Sequence, residues 1–157
     1  MNIISTQYTL KYKSFEIVVS GCKGENGTHC LGCHSPETWN FDIGEKYETQ
    51  IHKISRKIKE ANNLIDWIWV YGGEPLDNNI DELIDMLSLL KDNGKPIMLF
   101  TRYSFDSVPQ TVKDLCDYIK CGAYIQELST EDNIQYGVKL ATSNQHIYKK
   151  LQNNQWQ

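Results

Sequence analysis

The chain has little with which to bind nucleic acid and nothing with which to cross a membrane as a helix. Sixteen Lys and Arg stand against twenty Asp and Glu, a net charge of −4, so the basic footprint that dominates phosphate-backbone binding is missing. No stretch approaches the ~20 consecutive apolar residues of a spanning helix. The opening Met1-Asn2-Ile3-Ile4-Ser5 has neither the charged nor the apolar region of a secretory signal. A cytoplasmic location is therefore expected, with neither nucleic acid nor membrane as partner. Internal repeats and low-complexity tracts are absent as well. Nothing in the chain supplies a conventional acid–base pair or an activated nucleophile, so Glu74 and the aspartates are not read as catalytic groups.

The chain does have enough apolar residues, 40% of its 157, to build one core without disulfides. One domain over residues 1–151 is expected, followed by a polar tail over 152–157 that frays. Five cysteines are an odd number, and three of them, Cys22, Cys30 and Cys33, fall within twelve residues. Clustered thiols in a reducing compartment point to metal or redox chemistry rather than to a disulfide framework.

Phe15–Ser20 is a β-branched run stopped by Gly21, which reads as a buried strand entering a loop over residues 21–36. Tyr47, Ile51, Ile54, Ile58 and Ala61 recur at helical spacing, with Lys53, Arg56, Lys57 and Lys59 on the other sides. Trp67–Tyr71 is apolar without alternation, as in a strand covered on both faces, and stops at Gly72-Gly73. A second helix follows, carrying Ile80, Leu83, Ile84, Leu87 and Leu90, with Asp77 or Asn78 as its N-cap and Gly94 as its stop. Pro96–Phe100 is the next strand, Val112–Cys116 a short helix, and Tyr118–Ile125 contains another strand. The alternation predicts an α/β fold with a parallel sheet wound by right-handed crossovers. Ligands of such sheets bind beyond the carboxyl ends of the strands, where both Gly21-Cys22 and Gly72-Gly73-Glu74-Pro75 are placed.

Three thiolates can hold three corners of a [4Fe–4S] cluster and leave the fourth iron open, whereas clusters that only carry electrons normally have four cysteines. Cys22, His29, Cys30, Cys33 and His34 also contain enough sulfur and nitrogen for a tetrahedral zinc knot. A zinc knot gives no reason for Gly-Gly-Glu-Pro after the second strand. Gly72 and Gly73 would let the backbone approach a ligand closely, although a plain strand-to-helix turn has the same composition. Arg102, in Thr101-Arg102-Tyr103 after the third strand, can pair with a carboxylate or stand on the solvated surface. Ser143-Asn144-Gln145 can border a bound ligand, but Thr142 and Ser143 read more simply as the cap of a final helix through Tyr148 and Leu151. Cys116 and Cys121 read as small buried residues.

Cys30-Leu31-Gly32-Cys33-His34-Ser35-Pro36-Glu37-Thr38-Trp39, Tyr71-Gly72-Gly73-Glu74-Pro75-Leu76 and Ser143-Asn144-Gln145-His146 resemble three landmarks of the anaerobic ribonucleoside-triphosphate reductase activating proteins, a short branch of the radical SAM superfamily. Three features depart from that pattern. Seven residues separate Cys22 from Cys30 where the family usually has fewer, and Asn26-Gly27 offers a turn that carries the extra residues outward. Tyr12-Lys13-Ser14-Phe15 stands where the family has Gly-Pro-Gly and a following Arg, and His146 stands where it commonly has Arg.

The resemblance implies a [4Fe–4S] cluster on Cys22, Cys30 and Cys33, and S-adenosyl-L-methionine bound along Gly32, Cys33, His34, Gly72, Gly73 and Glu74. It implies reductive cleavage to a 5′-deoxyadenosyl radical, with a glycyl radical then generated on anaerobic ribonucleotide reductase. It also implies a single-domain incomplete (β/α) barrel, since a full barrel takes ~250 residues. Reduced flavodoxin or ferredoxin is the expected electron donor, with the basic side of the first helix as its candidate surface. Two alternatives stay open. One is action on another glycyl radical enzyme, a peptide or a small molecule; the other is a non-catalytic metal-binding or redox-sensing protein.

Overall fold

The computed structural model describes the whole chain, residues 1–157. It opens with a strand that the sequence reading did not assign, β1 (Asn2–Thr9), paired antiparallel with β2 (Ser14–Val19). A bulge between Ile3 and Ser5 shifts the register, so the alternation that would mark a half-buried strand is interrupted. After the long loop come β3 (Glu45–Lys46) and α1 (Tyr47–Glu60), then β4 (Trp67–Gly72), α2 (Ile80–Lys91), β5 (Ile97–Phe100), α3 (Gln110–Leu115) and β6 (Tyr118–Cys121). A small hairpin of β7 (Ile134–Gln135) and β8 (Val138–Lys139) precedes β9 (His146–Lys149).

The main sheet has seven strands in the order β3-β1-β2-β4-β5-β6-β9. Its middle four are parallel, but β1, β3 and β9 run antiparallel to their neighbours. The sheet is therefore mixed, which corrects the expectation of a parallel one. The C-terminal segment is the second correction. Residues 142–151 form no helix; His146–Lys149 instead pairs with β6, because Ile147 is fully buried against Trp69 and Met98 while Tyr148 packs on the helix-side core.

The four parallel strands lie in chain order, so each right-handed crossover puts its helix on the same face. Ile51, Ile54 and Ile58 of α1, Leu83, Met86, Leu87 and Leu90 of α2, and Val112 of α3 pack there on Phe15, Ile17, Ile68, Val70, Ile97, Leu99 and Ile119. Each fully buried aliphatic side chain contributes roughly 1.5–3 kcal/mol. The opposite face carries a thinner layer in which Trp69, Met98, Val138, Leu140 and Ile147 are flanked by Tyr71, Phe100 and Tyr118. Cys116 and Cys121 are buried in the helix-side core, as expected of small apolar residues.

The α2 cap also differs from expectation. Asn79, not Asp77 or Asn78, accepts from the amides of Asp81 at 2.9 Å and Glu82 at 3.3 Å. Asp77 is drawn instead into a buried turn. The polar tail turns back onto the fold: Lys149 and Gln157 exchange backbone hydrogen bonds at 2.8 and 3.0 Å, and the Trp156 ring lies 5.3 Å from that of Phe105. No helix is long and apolar enough to cross a membrane.

Candidate metal centre

A cavity of about 210 Å³ opens at the carboxyl ends of β2, β4, β5 and β6. Cys22, Cys30 and Cys33 line it together with Gly72, Gly73, Glu74 and Arg102. Two motifs separated by some forty residues of sequence thus share one wall, because each directly follows a parallel strand.

The cysteine loop is built on a hairpin. Asn26 (φ 51°) and Gly27 (φ 80°) both take the left-handed conformation, and Glu25 and Thr28 exchange backbone hydrogen bonds at 2.8 and 2.9 Å. Positive φ at both central residues is the mark of a two-residue hairpin turn of type I′. The extra residues between Cys22 and Cys30 are carried into this hairpin. Its base is held by His29, whose Nε2 lies 2.8 Å from the Cys22 carbonyl and whose ring stacks on Trp39 at 3.9 Å. Trp39 also lines the cavity.

The far end of the loop returns to its start. Gly21 and Cys22 donate their amides to the carbonyls of Thr38 and Trp39 at 2.7 and 3.0 Å. Thr38 is anchored in turn through its hydroxyl to the Ser35 carbonyl at 2.7 Å. The Pro-Glu-Thr-Trp segment thereby closes a ring that holds all three cysteines. The Ser35 amide donates to Cys33 Sγ at 3.5 Å. Burial pushes the Cys22 thiol above its ordinary range; the Gly24 amide opposes that, while Asp77 and Glu74 add to it. Binding a metal centre there displaces a proton.

The glycines of Gly72-Gly73-Glu74-Pro75 serve a close approach, though of backbone to backbone. A Cβ on Gly73 would meet the Gly21 carbonyl, and one on Gly72, at φ 134°, would meet that of Val19. The amides they bring into reach are used: Gly73 donates to Val19 at 2.9 Å and Glu74 to Gly21 at 2.6 Å. The Glu74 carboxylate is 1% exposed and accepts from Thr101 Oγ1 at 2.8 Å, the Arg102 amide at 2.6 Å and the Leu76 amide at 3.1 Å. Burial raises its pKa to about 7 against the pull of those donors. Glu74 therefore ties β4's turn to β5's turn from inside the wall.

Arg102 is not a free surface residue. Its guanidinium lies 3.4 Å from Asp77 Oδ1 and 2.8 Å from the Tyr103 hydroxyl, and Nε is buried without a partner. Asp77 also accepts from the Tyr103 hydroxyl at 2.6 Å and from the Lys23 amide at 2.7 Å. Gly32 and His34 do not line the cavity. The side of Gly32 faces Gln126 and Tyr124, and the His34 ring packs against Tyr124 at 4.8 Å beside a neighbouring depression. Of Ser143-Asn144-Gln145, only Gln145 reaches the cavity; its amide group bonds Gly122 and Ala141 at 3.3 and 3.1 Å. Tyr71, Phe100 and Lys120 line the cavity too. Of these, Lys120 carried a signal, being a lone charge in the apolar strand Tyr118-Ile119-Lys120-Cys121.

All five cysteines are free thiols. The three loop cysteines line one cavity, so their thiols face a common space. No curated protein matches the chain. A family profile described as a 4Fe-4S single cluster domain matches residues 13–148, a span that takes in all three cysteines, the Gly-Gly-Glu-Pro turn and every strand that frames the cavity. With its thiols arranged around one cavity and its length matched almost throughout, the chain belongs to the family of 4Fe-4S single cluster domains.

Proposed function

We propose that the protein is a radical enzyme that cleaves S-adenosyl-L-methionine reductively and generates a glycyl radical on a partner, anaerobic ribonucleotide reductase. The observation that carries this reading is the shared wall: three cysteines, one fewer than a full ligand set, and the Gly-Gly-Glu-Pro turn border one cavity. A [4Fe–4S] cluster there would supply one electron and an open iron, the chemistry that breaks the sulfur–carbon bond and yields methionine and a 5′-deoxyadenosyl radical.

The chain's own residues provide the setting. Cys22, Cys30 and Cys33 would be the ligands, held by the Gly21–Thr38 and Cys22–Trp39 backbone bonds. Glu74 keeps the turns after β4 and β5 in fixed relation, so the cavity is preorganised rather than assembled on binding. The unpartnered Nε of Arg102 offers a donor for a carboxylate. Phe100, Tyr71 and Trp39 give the rest of the wall an apolar surface.

Parallel strands in chain order with every helix on one face are wound as a (β/α) barrel is, and the thinner cover on the other face supports the reading of an incomplete barrel completed by a protein partner. An external low-potential donor, flavodoxin or ferredoxin, would deliver the electron. The test is anaerobic. Protein reconstituted with iron and sulfide, then given dithionite and S-adenosyl-L-methionine, should release 5′-deoxyadenosine and, with the reductase present, develop a glycyl radical signal. A fully loaded protein that forms no 5′-deoxyadenosine would overturn the reading.

A further inference from the structure

The cavity contains one cation that forms no ion pair. Along β6, Ile119 and Cys121 belong to the helix-side core, so Lys120 alternates to the other face and into the cavity. Its ammonium donates to the Gly122 carbonyl at 2.8 Å and forms no ion pair within 4 Å, whereas Arg102, the other cation of the cavity, is matched by Asp77 at 3.4 Å. An ammonium has three donors, so two are left over. Burial draws the Lys120 pKa down to about 8, and Glu74, Cys121 and Cys30 are the negative groups near enough to oppose that.

Each loop cysteine then has an electropositive neighbour of its own. The Gly24 amide serves Cys22, the Ser35 amide serves Cys33, and Lys120 lines the same cavity as Cys30. An unpaired charge in a partly buried wall is costly, and a cluster ligated by three thiolates is the anionic centre that would offset it. Cluster potentials follow net charge, hydrogen bonds to sulfur and solvent exposure. Reduction adds one electron to a centre that its thiolates already make negative, so a fixed cation favours the reduced form.

We propose that Lys120 sets the reduction potential of the cluster, holding it within reach of an external one-electron donor. This rests on the reading of the three cysteines as cluster ligands and is independent of the substrate. Lys120 acts through its charge on the cluster and is a positioning residue.

The test compares wild type with Lys120→Met, Lys120→Gln and Lys120→Arg. Each is reconstituted anaerobically with iron and sulfide and titrated with dithionite and redox mediators, without S-adenosyl-L-methionine. The reduced cluster is read by electron paramagnetic resonance and by bleaching of the visible absorbance. At the wild-type midpoint the reduced-to-oxidised ratio should fall about tenfold in the Met and Gln variants, which is about 59 mV for one electron. The Arg variant should stay close to wild type. Arg56→Gln, on the exposed side of α1, should not move. Unchanged midpoints in charge-free variants that hold a full cluster overturn the proposal. So does loss of the cluster from both, with retention in Lys120→Arg, which would assign the charge to assembly. A wild-type protein that takes up no cluster overturns the reading of the cysteines instead.

Discussion

The backbone amide of Lys23 donates to the Asp77 carboxylate at 2.7 Å, joining the residue after the first loop cysteine to the turn after β4. Asp77 is 4% exposed and is shared by Lys23, Tyr103 and Arg102. One carboxylate thus connects the hairpin loop to the turns that follow β4 and β5, and the cavity inherits its shape from that connection.

Asp77→Ala should consequently lower stability by about 3 kcal/mol, because it leaves the Lys23 amide and the Tyr103 hydroxyl proton without an acceptor and a guanidinium without its counter-ion. Thermal unfolding of the metal-free protein gives the stability change. Iron content after reconstitution should fall in parallel, and an Asp77→Ala protein with wild-type iron content would show that the loop holds its form without this bond.

Gly73→Ala and Gly27→Ala make a contrasting pair. The first puts a methyl group against the Gly21 backbone, and neither chain can yield without opening the wall, so a loss of about 3 kcal/mol together with impaired iron uptake is expected. The second has open space around the new methyl group but a φ of 80°, which costs about 1–2 kcal/mol and should leave iron uptake unchanged. Equal iron uptake by the two proteins would disconnect the close approach from the site.

The helices were legible in the sequence because Ile51, Ile54 and Ile58 repeat with the helical period and all three are buried. So was the meeting of Cys22 with Gly72-Gly73-Glu74, since both follow strands whose polarity the alternation of elements dictates. What was hidden is tertiary. The four residues of β9 read as a strand only beside β6, and the bulge in β1 breaks its pattern. Asp77 looked like a helix cap because nothing local reveals that the Lys23 amide lies across from it.

Glu74 should give the metal-free protein an unusual acid response. Its folded pKa, about 7, lies above the ordinary value of 4.5, so between those limits the folded state holds a proton that the unfolded chain releases. Stability is then greatest below the unfolded value and falls as pH rises toward 7, by roughly 1.4 kcal/mol per unit at most. Glu16, whose pKa is lowered, acts in the opposite sense but below that window. Urea unfolding at pH 5.5, 6.5 and 7.5 should show a declining midpoint in the wild type and a flatter one in Glu74→Gln.

The cysteines divide by location. Cys22→Ala, Cys30→Ala and Cys33→Ala should each remove the visible absorbance of a reconstituted cluster. Cys116→Ala should retain it while losing about 1 kcal/mol of core packing, since Cys116 is 1% exposed among apolar neighbours.

The meeting of Gly73 with Gly21 limits how such a site can diversify. A wall made where two main chains touch has no side chain to exchange, and any atom added there separates the strands that define it. New preferences for ligand or partner must therefore arise on the opposite wall, at Phe100, Lys120 and Tyr124, or on the exposed hairpin around Asn26, which can change length without disturbing the cysteines at its base.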